Sequence, residues 1–173
     1  MKNQKTLLNV ISLCLLLAFL SSPAWSQTKR KKELAGYTID NYEVECLGTG
    51  TDGTQILKIW GYGKKPDKAI LQAKRNAVHA VIFKGIYAGK PGCTKQPLVK
   101  DPNAINEHSD YFDAFFEEGG KYLSFVAVSG DGVKESVKVG KQYKVAIAVS
   151  VMKDPLRKEL ENAGIIKSLN HGF

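Results

Sequence analysis

The chain has 173 residues, of which 43% are hydrophobic and 24% are charged. These proportions are ordinary for a globular protein and exclude a disordered, collagen-like or mucin-like chain. The length is sufficient for one domain with a buried core. The formal net charge is +8, and it falls to +6 without residues 1–26, which carry two lysines and no acid. An excess this small does not by itself indicate nucleic-acid binding.

Residues 1–26 have the three parts of a secretory signal peptide. Two lysines lie near the start, residues 7–20 are mostly apolar, and the small residues Ala24 and Ser26 precede a cleavage site that we place before Gln27. An apolar helix of about 14 residues is about 21 Å long, which is shorter than the roughly 30 Å hydrocarbon core of a bilayer. The sequence therefore predicts export to the periplasm or outer envelope of a bacterium, with no transmembrane segment in the mature chain.

Two features bear on that prediction. Residues 29–32 are all basic, and a basic run resists translocation, so an uncleaved anchor is the alternative. Cys14 lies in the middle of the apolar stretch and follows Leu13, where a lipidation signal needs a small residue, so a lipid anchor is not predicted. We expect residues 27–36 to be a flexible basic lead-in and residues 37–173 to form a single domain.

The mature chain would keep two cysteines, Cys46 and Cys93. An even number in an oxidising compartment permits one disulfide, which would contribute about 4 kcal/mol in the chain-entropy model. The alternative is a buried strand thiol at Cys46 and an exposed loop thiol at Cys93.

Apolar periodicity predicts the first elements of the domain. Alternation indicates a strand over residues 37–47, and an Asp-Gly turn within residues 48–53 predicts a hairpin to a second strand over residues 55–62. Pro66 suits the first turn of a helix that we expect to reach about Gly85. Alanines recur along that helix at helical spacing, and small side chains allow it to lie close to a sheet.

The second half of the domain is predicted in the same way. Residues 87–103 contain several glycines and prolines and are expected to be an irregular loop. A helix over residues 103–118 follows, with an apolar face of Ile105, Phe112, Phe115 and Phe116. Strands are predicted over residues 122–129 and 142–152, with a short polar segment over residues 133–139 between them, and a short helix over residues 155–163 ends the domain.

The order of these elements indicates the fold class. Strands group towards the two ends of the domain instead of alternating with helices. We therefore predict an α+β fold, with a mainly antiparallel sheet of four to five strands, two helices packed on one face and a short C-terminal helix.

The corner between the second strand and the first helix is the candidate binding site. Gly61, Gly63, Lys64, Lys65 and Lys68 combine flexible backbone, positive charge and a helix start, which together can hold an anion or an acidic partner. The alternative interpretation is a structural corner whose lysines only face solvent.

Other motifs do not predict a catalytic, metal or cofactor site. Gly48, Gly50 and Gly53 match the dinucleotide-binding spacing, but a strand follows where that motif needs a helix. Acidic residues on one face of the second helix (Asp110, Asp113 and Glu117) could bind a divalent metal, although a solvated face is the favoured interpretation. The aromatic residues Trp60, Tyr62 and Tyr143 are assigned to the core sides of their strands, so nucleic acid is not an expected partner.

A family resemblance rests on Ile59-Trp-Gly-Tyr-Gly, on Ala69, Ala73, Ala77 and Ala80, and on Lys84-Gly85. This pattern resembles the domain of small bacterial envelope lipoproteins and the N-terminal domain of flagellar assembly protein T. The resemblance implies a glycine-ended strand before an alanine-rich helix packed on a sheet, in a non-enzymatic envelope module. The chain departs from that pattern because it lacks a lipidation signal and carries the insertion at residues 87–103.

The expected function is an exported envelope binding or assembly module whose partner is an envelope protein or another acidic partner. A small anion- or ligand-binding periplasmic protein is the alternative, and a secreted enzyme is a further one. The oligomeric state stays open.

Overall fold

The elements of the domain follow the apolar periodicity of the chain. The computed structural model describes residues 42–168, except for the side chains of residues 131–134, and all the described residues belong to one compact unit. The predicted signal peptide (residues 1–26) and basic lead-in (residues 27–36) lie outside the described residues. Among residues 42–168, no helix is long and apolar enough to cross a membrane.

Five strands within residues 42–168 form one sheet. The strands are β1 (Val44–Thr49), β2 (Gln55–Gly63), β3 (Ala88–Gly89), β4 (Val126–Val139) and β5 (Gln142–Val151). Their order in the sheet is β3-β1-β2-β5-β4. The pairs β1–β2, β2–β5 and β4–β5 are antiparallel, whereas β3 is parallel to β1.

The helices are α1 (Pro66–His79), α2 (Ala104–Glu107), α3 (Ser109–Phe116) and α4 (Lys153–Asn162). One π-helical turn, Ala80–Lys84, prolongs α1, and a 3₁₀ turn, Lys121–Phe125, leads into β4. The α+β class is therefore confirmed, and so are the first hairpin, the long first helix and the C-terminal helix.

Two parts of the fold prediction were wrong. The sheet is mixed, because the short strand β3 runs parallel to β1 inside the segment expected to be an irregular loop. The described part of the chain also has one α-helix more than expected, since the helix predicted over residues 103–118 is broken at His108, where φ is −112° and ψ is 34°. Neither feature has a strong local signal: a two-residue strand has almost no periodicity, and a break at one residue leaves the apolar pattern intact.

β4 also differs from the prediction. Lys121–Phe125 is a 3₁₀ turn instead of the start of a strand, and the expected polar segment at residues 133–139 is continuous with β4. Gly130 and Gly132 precede that segment, and such a pair of glycines is typical of a turn. They lie instead in an irregularity of the ladder, because Val128 pairs with Val149 and Val133 with Ile147, so β4 has more residues than β5 in this interval.

The core lies between one face of the sheet and the helices. We call this face the helix face, and its central side chains, including Leu57, Ile59, Ile147 and Val149, are fully buried. Helix α1 packs on it through three fully buried alanines, Ala69, Ala73 and Ala77, and the π-helical turn adds the fully buried Ala80. The aromatic helix α3 completes the core, with Phe112 and Phe115 buried and Phe116 half-buried.

The segment over residues 87–103 is anchored at several points. The amides of Leu98 and Val99 donate to the carbonyls of Val81 and Ile82 at 3.0 and 2.9 Å, respectively, which supplies partners for the end of the π-helical turn. A disulfide joins Cys46 of β1 to Cys93, with the two Cα atoms 5.8 Å apart. The insertion is therefore attached to the π-helical turn by backbone hydrogen bonds and to the sheet by a covalent bond.

Candidate functional site: the lysine-bearing end of the sheet

The two glycines of the predicted site face helix α1. A Cβ atom added at Gly61 would lie 2.2 Å from the carbonyl oxygen of Ala69, and one added at Gly63 would lie 2.4 Å from the amide nitrogen of Ala69. Both distances are far below contact distance, so these positions accept only glycine without a backbone shift. The structure thus accounts for Gly61 and Gly63 by the close packing of α1 on β2.

Lys68 differs from Lys64 and Lys65 because it has an ion-pair partner. Its ammonium group donates a hydrogen bond to the carboxylate of Glu118, just beyond the end of α3, and this bond holds the pKa of Glu118 below its ordinary value. Lys64 and Lys65 are exposed and form no ion pair with any residue in the range 42–168. Of the five predicted site residues, only these two present their charge to solvent without a described partner.

The structure brings two further lysines to the same end of the sheet. Gly63 is paired with Tyr143, so Lys64 and Lys65 follow β2 at the edge where the β4–β5 hairpin turns. Lys138 and Lys141 lie at this hairpin end; both are exposed, and neither forms an ion pair within the described part of the chain. We call Lys64, Lys65, Lys138 and Lys141 the lysine end.

Half of the lysine end was not among the predicted site residues. Lys138 and Lys141 are far from Lys64 in the chain, and only the β2–β5 pairing brings them together. The usable signal is Gly140-Lys141, which connects β4 to β5 with Gly140 at φ 59°, as expected for the first position of a tight hairpin turn. That turn predicts the hairpin but does not reveal which strand lies beside it.

The face of the sheet opposite the helix face, which we call the open face, holds two aromatic residues that had been assigned to the core. Trp60 and Tyr62 alternate with Ile59 and Gly61, so their side chains point away from α1. The ammonium group of Lys58 lies 4.6 Å from the ring centroid of Trp60. Trp60 is only 8% exposed, whereas Tyr62 is 40% exposed. The assignment to the core was therefore wrong for Tyr62, whereas Trp60 is buried but lies on the open face.

Ion pairs neutralise the middle of the open face. Lys58 lies 2.7 Å from Glu135, and Lys144 lies 3.5 Å from Glu43. The hydrogen bond from Lys58 lowers the pKa of Glu135 and raises the pKa of Lys58 itself, because each charge stabilises the other. Lys58 and Lys144 are therefore engaged by acids, unlike the four residues of the lysine end.

Exposed apolar side chains lie beside the lysine end. Val137 is 58% exposed and Val139 is 51% exposed, values that are unusual for valine. The pairing register places Val137 and Tyr62 on opposite sides of Lys144, all three on the open face. We call Tyr62, Val137 and Val139 the apolar patch.

Buried polar groups elsewhere are used for packing. The side-chain amide of Asn76 donates to the carbonyl of Trp60 at 2.9 Å, which ties α1 to β2. Gln55 accepts a hydrogen bond from the amide of Thr94 at 2.7 Å, and the hydroxyl of Tyr42 lies 2.7 Å from Nδ1 of His79. Burial lowers the pKa of Arg75 and raises that of Tyr122.

A metal site is not found among residues 42–168, since no group of three or more His, Cys, Asp and Glu side chains there could hold an ion. The described residues instead place several positive charges and exposed apolar side chains at one end of the sheet.

Comparisons with protein-family models, with curated proteins and with solved structures find no match to this chain. The resemblance to envelope lipoprotein domains and flagellar assembly protein T stays a prediction.

Proposed function

We propose that this chain is an exported cell-envelope binding or assembly module without catalytic activity, and that the lysine end is its binding surface. The observation that carries the proposal is the convergence of Lys64, Lys65, Lys138 and Lys141 from two separate parts of the chain. None of the four is paired with an acid within residues 42–168. Like charges repel one another, so such a cluster is better explained by an acidic partner than by the stability of the domain.

The disulfide supports the export part of the proposal. A Cys46–Cys93 bond is suited to an oxidising compartment, since cytosolic reductants keep most thiols reduced. This agrees with the signal-like sequence of residues 1–26.

The packing of the glycine corner supports macromolecular contact over small-anion capture. A corner built to hold one anion would aim its flexible backbone at the ligand. Here Gly61 and Gly63 are pressed against Ala69, and Lys68 is engaged by Glu118. The charges left at the surface are spread along an edge, which suits an extended partner.

The test is a pull-down from envelope extract at low salt with a Lys64→Gln/Lys65→Gln variant. We expect weaker capture of envelope components and a melting temperature close to that of the parent, because exposed charges contribute little to stability.

The matched control is Lys90→Gln/Lys95→Gln, which removes the same charge from the insertion near Gln55, at the opposite end of β2. Equal capture by the parent and both variants would contradict the proposed surface. Retention of the chain in the cytosolic fraction would contradict the export part of the proposal.

A further inference from the structure

We propose that the lysine end and the apolar patch together dock on the surface of an anionic phospholipid bilayer. This inference rests on the proposed function, because it names the partner of the same surface. Its basis is the combination of unpaired positive charge with exposed apolar side chains on one hairpin.

Charge is the first part of the argument. Lys64, Lys65, Lys138 and Lys141 are all exposed, and within residues 42–168 they have no ion-pair partner. The nearby carboxylates of Glu43 and Glu135 are engaged by Lys144 and Lys58. A surface of this kind is complementary to a sheet of lipid phosphates, where each lysine contributes to adsorption.

The apolar patch is the second part. The hairpin alternates Val137, Lys138 and Val139 before the turn at Gly140 and Lys141. Both valines are more than half exposed, although valine in a strand is usually buried. A bilayer interface accepts both kinds of side chain at once, since the apolar groups enter the boundary of the acyl chains while the ammonium groups stay at the phosphates.

The same features favour a bilayer over an acidic protein as the partner. An acidic protein would satisfy the lysines by charge alone and would give Val137 and Val139 no specific role. The valines also lie within three residues of the hairpin turn that carries Lys141. Exposed apolar side chains beside such a turn suit insertion into a soft interface.

Sedimentation with vesicles tests the inference. One set of vesicles is made of phosphatidylcholine alone, and in the other a third of the lipid is phosphatidylglycerol. The chain is used as it is recovered from the envelope fraction, in the same form for every variant. Any lipid affinity from residues outside the hairpin is then the same in all measurements.

We expect stronger binding to the anionic vesicles and loss of that preference at high salt. Lys138→Gln/Lys141→Gln should weaken binding about tenfold or more, since each lysine near an anionic surface contributes about fivefold. Val137→Thr/Val139→Thr keeps the branched shape and should weaken binding by about threefold or more through lost apolar burial. The Lys90→Gln/Lys95→Gln control should bind like the parent.

Three outcomes overturn the inference. Equal binding of all variants to the anionic vesicles would show that another part of the chain adsorbs. An effect of the lysine changes with none from the valine changes would mean that the patch does not enter the interface. No vesicle binding, together with a pull-down that still depends on Lys64 and Lys65, would identify an acidic protein as the partner and leave the proposed function standing. If the pull-down were also unaffected, the proposed function would fail as well.

Discussion

The two faces of the sheet are made from the same strands, yet they differ in almost every physical respect. On the helix face, Leu57, Ile59 and Ile147 are fully buried against α1 and the core. On the open face, the alternate positions of β2 and β5 include the charged and aromatic side chains Lys58, Trp60 and Lys144, and β5 also places the small side chains Ala146 and Ala148 there. Because successive side chains of a strand point to opposite faces, residues that stabilise the core alternate with residues that form the surface.

Neighbouring residues of β2 show the difference most sharply. Gly61 has no side chain and lets the backbone of α1 approach, whereas Trp60 points to the other face beneath Lys58. Gly61 and Trp60 can therefore be neighbours in one strand. Helix α1 leaves no room for a side chain at Gly61, whereas the open face accommodates the ring of Trp60.

The largest expected effect on stability is in the core that covers the helix face, at Phe115 of α3. This side chain is 3% exposed and stacks on Phe125 with ring centroids 6.0 Å apart. Phe115→Ala should lower the free energy of unfolding by about 3–5 kcal/mol, because it removes buried apolar contacts and leaves a cavity. Denaturant unfolding measures the change, with Tyr62→Ala on the open face as the control. A loss below about 1 kcal/mol would show that α3 does not cover the sheet.

A smaller but still large effect is expected at Gly61. Gly61→Ala places a methyl group 2.2 Å from the carbonyl oxygen of Ala69 and 2.5 Å from the amide nitrogen of Ala73, so backbone must move. We expect a loss of about 3 kcal/mol in the free energy of unfolding. Gly50→Ala is the matched control, since its nearest neighbour, the Cβ of Thr54, lies at 3.5 Å. Equal stability of the two variants would rule out close packing as the reason for Gly61.

The smallest effect belongs to the Lys58–Glu135 pair on the open face. The pKa of Glu135 is lowered in the folded chain by the hydrogen bond from Lys58, so its stabilising contribution is present above the ordinary pKa of a carboxyl group. That contribution is lost as the pH falls through the lowered pKa. Glu135→Gln should therefore lower the melting temperature slightly at neutral pH, and the difference should shrink as the pH falls below the ordinary pKa of a carboxyl group. A melting-temperature difference that grows in acid would contradict the pairing.

Local patterns predicted much of the fold. The β1–β2 hairpin, the start of α1 and the C-terminal helix were all correctly predicted, because each has its own periodicity and a turn or proline at its boundary. The errors lie where the signal is not local. The parallel strand β3 depends on a partner far away in the chain, and the irregular stretch of β4 contains the glycines that usually mark a turn.

The structure leaves only two of the five predicted site residues as exposed lysines without a described partner. These are Lys64 and Lys65, since Gly61 and Gly63 pack against α1 and Lys68 is paired with Glu118. The residue types were visible in the chain, but their partners were not.

The amino-acid sequence by itself determined which side chains alternate along each strand, where α1 begins and which two cysteines remain after residues 1–26. These properties depend on a few neighbouring residues, because the repeat of the backbone fixes which side chains share a face. Only the tertiary structure decided that Cys46 meets Cys93, that α1 lies on Gly61 and Gly63, and that two hairpin lysines join Lys64 and Lys65. The physical reason is that strand pairing and helix docking are chosen by the burial of the whole core, to which distant segments contribute together.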